Sequence, residues 1–177
     1  IDGHPVIPRT GYVVEVNALL YNALRFVADM LREDENPSLA DTLDALAQKT
    51  AVSFVETFRN EYGYLLDFVD GNMMDWSVRP NMIFTVAFDY SPLDKIQKKQ
   101  VLDIVTKELL TPKGLRSLSP KSVGYNPNYV GIQRERDSAY HQGTAWPWLM
   151  GFYMEAYLKI YKISGLAFVE RQLLGFE

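Results

Sequence analysis

The sequence predicts an all-α chain. Apolar residues recur at spacings of three and four in several separate stretches. Only short strand-like pieces lie between them, too few for a sandwich or a doubly wound sheet. Prolines, glycines and capping residues fall where helices of that pattern would start and stop. Six helical segments are expected on this basis.

The stretch from Ile1 to Gly11 carries Pro5, Pro8 and two glycines, and reads as an extended lead-in. A helix begins at Val14, with Val16, Leu20, Leu24, Val27 and Leu31 forming one apolar stripe. The polar run Glu33-Asp34-Glu35-Asn36 ends it. Asn36 then serves as N-cap and Pro37 as first residue of a second helix carrying Leu39, Leu43, Leu46, Ala47, Phe54, Val55 and Phe58. The short loop makes the two an antiparallel hairpin. Tyr64 to Val69 is strand-like, and Asp70-Gly71-Asn72 is a turn. Pro80 opens a short helix through Phe88. Asp94 caps a clearer helix to about Leu110, with Val101, Ile104, Val105 and Leu109 on one face, and Thr111-Pro112-Lys113-Gly114 stops it. Leu115 to Asp137 reads as a long loop rich in Ser, Pro, Asn and Tyr, of the length that is usually functional. Trp146, Leu149, Met150, Tyr153, Tyr157 and Ile160 mark another helix, and Leu166, Val169 and Leu173 the last.

The 177 residues form one domain, residues 1–177, and 47% are apolar, enough for a core. Eighteen Lys and Arg against 22 Asp and Glu leave a net charge of −4, so a basic nucleic-acid footprint is absent. No apolar run approaches the ~18 residues of a membrane span. The chain contains no cysteine, which excludes disulfide scaffolds, thiol catalysis and Cys-ligated zinc. His4 and His141 are too few for a multi-histidine metal centre, and neither metal nor cofactor is expected. The chain opens at Ile1 with no signal-peptide pattern and stops directly after an amphipathic run, so a segment of a larger protein is expected.

Unusual residues gather in three places. Glu15, Asn17, Tyr21 and Asn22 sit at a helix start. Glu15 and Asn22 share one face, and Asn17 and Tyr21 another. They read either as buried hydrogen bonds or as ligand contacts at a helix mouth. Asp75 to Asn81 places Arg79 and Asn81 around a helix start, as a surface ion pair or as groups converging on a ligand. Arg136 to Trp148 is densest, with Asp137, Tyr140, His141, Gln142 and Trp146 beside a second ring at Trp148. Sugars need such a mixture, because a pyranose has an apolar face and a rim of hydroxyls. Carbohydrate is the leading ligand class. Hydrolysis of glycosides ordinarily takes two carboxylates, and Glu15, Asp75, Asp89 and Asp137 are the candidates.

Four motifs then resemble one family. Pro8-Arg9-Thr10-Gly11 followed by Val14-Glu15-Val16-Asn17-Ala18-Leu19-Leu20-Tyr21-Asn22-Ala23-Leu24 is similar to the helix-opening motif of the amylo-α-1,6-glucosidase domain of glycogen debranching enzymes. Arg79-Pro80-Asn81-Met82-Ile83-Phe84 with Tyr90-Ser91-Pro92-Leu93 resembles the next. Leu109-Leu110-Thr111-Pro112 with Gly114-Leu115-Arg116-Ser117-Leu118-Ser119-Pro120 resembles the third. The fourth is Arg136 to Trp148, with Tyr-His-Gln-Gly and Trp-Pro-Trp. They lie in family order along nearly the whole chain.

The resemblance implies part of an (α/α)6 toroid, about half the full barrel and toward its C-terminal half. It implies hydrolysis of α-1,6-linked glucose at glycogen branch points in the cytoplasm. The family's catalytic carboxylates belong to a Thr-Trp-Met-Asp-like segment before the lead-in and a Ser-Glu-like segment after the last helix. Neither segment occurs here. No catalytic residue is therefore expected within the chain, with Glu15 and Asp137 as the fallback. Glu15, Asn17, Arg79, Asn81, Asp137, Tyr140, His141, Gln142 and Trp146 are implied to line a cleft and position an α-glucan, glycogen or limit dextrin. Leu20 stands where a Trp is expected. The remaining partner is the rest of the parent enzyme, or a second copy meeting exposed helix faces. A non-catalytic glucan-binding or structural fragment, and another toroid glycosidase of glucoamylase or trehalase type, stay open as alternatives.

Overall fold

A computed structural model, which describes residues 1–176 apart from Asp2 and His4, places the expected helix hairpin first. Helix α1 (Val14–Glu33) and helix α2 (Pro37–Phe58) are joined by a turn of three residues. Pro37 sits in the first turn, where its missing N–H costs nothing. The Asn36 side chain makes no capping bond, and instead its backbone carbonyl accepts from the Ala40 N–H at 3.3 Å. Across the turn Arg32 pairs with Asp41 at 3.3 Å and with Asp44.

The buried side of this pair differs from the expected stripe. A helix ordinarily buries its apolar stripe, yet Val16, Leu20 and Val27 are 58%, 49% and 41% exposed. Val14, Ala18 and Ala28 of α1 and Ala40 and Ala47 of α2 are buried instead.

After α2 the chain forms β2 (Phe68–Asp70) and β3 (Met73–Met74), joined by the expected turn at Gly71, and β2 also pairs with β1 (Tyr12–Val13). Tyr12 stands opposite Val69, and Val69 opposite Met74, in antiparallel register. A 3-10 turn at Pro80–Ile83 leads into the short α3 (Phe84–Ala87). Helix α4 (Lys95–Leu109) is capped as expected. Asp94 Oδ1 accepts from the Gln97 N–H at 2.8 Å, and Gln97 Oε1 accepts from the Asp94 N–H at 3.0 Å.

The largest departures come next. The stretch expected as one long loop holds most of β5 (Gly114–Arg116) and the start of α5 (Gln133–Ala139). Trp146, assigned from its spacing to a helix, lies instead in β6 (Ala145–Trp146), and α6 starts only at Leu149 (Leu149–Tyr161). Pro147 lacks an N–H, and the chain before it pairs as a strand. Strand β5 is central, with β4 (Leu110–Thr111) on one side and β6 on the other. Gly114 makes this approach possible, because its φ is +151° and a Cβ there would meet the Trp146 carbonyl carbon at 2.6 Å. A 3-10 turn at Lys162–Gly165, α7 (Leu166–Leu173) and a last 3-10 turn at Leu174–Phe176 follow.

The chain is thus mostly helical, with two three-stranded sheets of very short strands among the described residues. The core is continuous from Val14, Phe54 and Phe58 through Met82, Ile83, Leu102 and Leu109 to Leu115, Met150 and Tyr153. Among the described residues no helix is long and apolar enough to cross a membrane.

Candidate functional site

Burial of a carboxylate in an apolar stretch just before β2 organises the site. Asp67 follows Leu65 and Leu66, precedes Phe68 and Val69, and is 1% exposed. Such a charge needs partners. Arg9, from the lead-in, places its Nε 2.6 Å from Asp67 Oδ2, and its Nη2 donates to Asp67 Oδ1 at 3.1 Å. The same guanidinium clamps Glu15 with two bonds, at 2.5 and 2.7 Å. Asn81 Nδ2 donates to Asp67 Oδ1 at 2.7 Å. Burial pushes the Asp67 carboxyl above its ordinary pKa, while Arg9, Asn81 and Arg79 pull it back.

Arg79 is the second centre. It precedes the Pro80 turn and is almost fully buried. Its Nη1 donates to the carbonyls of Ser117 at 3.2 Å and His141 at 2.7 Å, and its Nη2 donates to Gln142 Oε1 at 2.9 Å. Its Nε lies 3.9 Å from both Asp67 and Asp75. Burial lowers the Arg79 pKa from its ordinary value, against the pull of the two aspartates. One guanidinium thus ties the segment after β5 to the turn before β6. That turn is held further by Gly143, whose N–H donates to Ser117 Oγ at 2.9 Å.

Above this ionic floor lie the rings. His141 stacks on Trp146 with centroids 5.6 Å apart and planes at 22°. Tyr140 meets Trp146 edge-on at 4.4 Å. Trp148 stacks on Phe84 at 6.2 Å and stays more than half exposed. Partial burial, and then the charges of Arg79 and Arg9, hold the His141 imidazole below its ordinary pKa, which favours the neutral ring at neutral pH.

These groups enclose a cleft of about 560 Å³, lined by Arg9, Arg79, Asn81, His141, Trp146 and Trp148 together with Pro5, Val6 and Ile7 of the lead-in. That volume is in the range of small-molecule sites, roughly 300–1,000 Å³. Flat rings, an amide and a neutral imidazole over a charged floor can hold a polar, uncharged ring through its face and its hydroxyl rim.

The expected residues divide as follows. Arg79, Asn81, His141 and Trp146 line the cleft. Glu15 sits behind Arg9, Gln142 behind Arg79, and Tyr140 against Trp146. Asn17 donates to the Val13 carbonyl at 2.9 Å and lines a different groove, between α1 and α2, together with Leu20. Asp137 lies on α5 and accepts from Gln133 at 2.6 Å. Asp89 pairs with Lys159 at 2.8 Å, and neither Asp89 nor Asp137 lines the cleft. Asn22 accepts from the Tyr90 N–H at 3.2 Å, tying α1 to the segment before α4. Asp67 and Arg9 were not singled out as site residues from the sequence. The one local signal for Asp67 was a charged residue inside an apolar strand-like run.

A family model described as amylo-alpha-1,6-glucosidase matches residues 1–175. The chain is 26% identical over 196 aligned positions to the glycogen debranching enzyme of Saccharomyces cerevisiae, an alignment covering 88% of this chain and 12% of that protein. It therefore spans about an eighth of the length of that relative. On the match across nearly its whole length, the chain belongs to the amylo-alpha-1,6-glucosidase family.

Proposed function

We propose that this chain supplies a substrate-positioning wall of a glycogen-debranching glycoside hydrolase, acting on α-1,6-linked glucose at branch points in the cytoplasm. The carrying observation is the convergence of His141, Trp146, Trp148 and Asn81 over the Arg9–Asp67–Arg79 floor. Rings and hydrogen-bonding groups from four separate stretches of sequence meet in one cleft, as recognition of a sugar requires. Residues 1–177 act in this reading as one domain and as about half of an (α/α)6 toroid. The uncovered stripe of Val16, Leu20 and Val27 on α1 supports a further helical segment, or a second copy, packing there.

The acid and base belong elsewhere in the parent protein. A general acid must hold and release a proton beside the leaving oxygen. Glu15 is clamped by both Arg9 nitrogens, and Asp67 is sealed under Arg9 and Asn81. Asp137 stands on α5, away from the lining. The same facts support a second reading, in which the fragment holds glucan without catalysis. The test is glucose release from a branched limit dextrin by this chain and by a longer protein that contains it. The chain alone is expected to release none above buffer, and the longer protein to release it. Release by the chain alone would overturn this assignment and return Glu15 and Asp137 to candidacy. No release by the longer protein would favour the non-catalytic reading.

A further inference from the structure

A second aromatic surface lies outside the cleft. Tyr62 is 72% exposed and Trp76 is 44% exposed, and Tyr64 completes the group. The Tyr62 and Tyr64 rings lie nearly parallel, with planes at 16° and centroids 6.4 Å apart. Trp76 stands against Tyr62 at 74°, with centroids 6.2 Å apart, so the rings form a corner. The Tyr64 hydroxyl donates to the Trp76 carbonyl at 3.0 Å, which holds the corner together. The hollow beside it measures about 390 Å³ and shares no lining residue with the cleft.

The segment from Asp75 to Arg79 contributes to the charged floor of one site and to the wall of the other. Asp75 and Arg79 meet across the charged floor, while Trp76 and Val78 line the second hollow.

The rim says what kind of ligand suits it. Glu108 accepts from Lys121 Nζ at 2.5 Å and from Ser119 Oγ at 3.0 Å. Lys107 lines the hollow as well, so the rim carries two ammonium groups, one of them paired with the buried Glu108, beside the hydroxyls of Ser119 and Ser122. Tyr62 and Trp76 are the exposed apolar side chains of the hollow, with Val78 and Ile104 only partly exposed beside them. Aromatic faces are electron-rich and attract the polarised C–H bonds of a sugar's apolar side. A neutral ligand with one apolar face and a hydroxyl rim matches this corner better than an aliphatic protein surface does.

We propose that Tyr62, Tyr64 and Trp76 form a second α-glucan-binding site, separate from the cleft, which holds another part of the same branched polymer. The choice of α-glucan among sugars rests on the debranching reading above; the position of the site does not. Two sites on one polymer raise the effective concentration of glucan at the cleft.

The test is native electrophoresis of the 177-residue chain in gels with and without glycogen, comparing wild type, a Tyr62→Ala/Trp76→Ala double variant, Trp76→Phe and His141→Ala. Wild type is expected to be retarded by glycogen. The double variant is expected to lose at least half of the retardation, with roughly ten-fold weaker apparent affinity, the loss of about one well-placed ring contact from each side chain. Trp76→Phe keeps a ring and is expected to stay near wild type, which separates binding from misfolding. His141→Ala leaves the corner intact and is expected to keep its share of the retardation. A double variant retarded like wild type would overturn the second site and leave the cleft as the binding surface. Loss in the double variant, with no change in His141→Ala, would support the second site and count against the cleft. An unretarded wild type would overturn the proposal, as would a wild-type dimer that only the double variant breaks, which would make the corner an interface between copies.

Discussion

Replacing Arg79 by alanine tests the framework on which the cleft stands. The side chain is 8% exposed, donates three hydrogen bonds, and lies between Asp67 and Asp75. Hydrogen bonds from a charged group are each worth ~1.5–3 kcal/mol, but bonds from one guanidinium are not additive. Removing one partner of a buried ion pair costs ~3–5 kcal/mol, because the other charge stays behind. Asp67 retains Arg9 and Asn81, which moderates that cost. The expected loss for Arg79→Ala is therefore about 3–4 kcal/mol, a large share of a typical total of ~5–15 kcal/mol. Arg79→Lys keeps the charge but replaces a planar fork with a single point, so it should lose about half as much. Urea unfolding followed by circular dichroism reads both from the midpoint, provided the slope stays constant. Amide exchange at Gln142 and Gly143 should accelerate in both variants. A loss below about 1 kcal/mol for alanine, or a lysine variant equal to wild type, would refute the view that Arg79 holds the two segments together.

Two further predictions concern titrating groups. Tyr153 is fully buried, its hydroxyl lies 2.9 Å from Thr106 Oγ1, and Thr106 itself donates to the Leu102 carbonyl, so the tyrosine is the donor. Tyr153→Phe should cost roughly 1 kcal/mol by thermal or urea unfolding, and no loss would mean the bond contributes nothing. Burial pushes the Tyr153 pKa up to about 12 from 10.0. The folded state therefore holds this proton more tightly, and the associated stability is full below 10.0 and lost as pH rises toward about 12. The phenylalanine variant should lack that part of the alkaline decline, and an identical decline would refute the assignment. For His141 the sign is opposite. Its lowered pKa makes the folded state the weaker proton binder, so its contribution is present above 6.5 and lost as pH falls through the lower folded value. NMR titration of the imidazole, assigned with His141→Gln, should give a midpoint below 6.5, and a midpoint at or above it would show that partial burial and the arginine charges do not govern the ring.

The sequence by itself determined what local chemistry controls. Pro37 opened α2, and Asp94 with Gln97 closed a capping box at α4, because caps act within one turn of helix. The motifs around Glu15, Arg79 and His141 are legible as polar and aromatic clusters from residue type alone. Tertiary structure decided the rest. Strands of two or three residues carry too short a pattern to read, and they exist here because a partner lies far along the chain, as Leu115 meets Trp146. Part of the apolar stripe of α1, at Val16, Leu20 and Val27, faces outward, while Val14, Ala18 and Ala28 are the residues the helix buries. Asp67 became the centre of the site only when Arg9, 58 residues away, reached it and a side chain from the Pro80 turn closed over it. A buried charge is stable only beside its counter-charge, and that pairing is a property of the folded chain and not of any stretch within it.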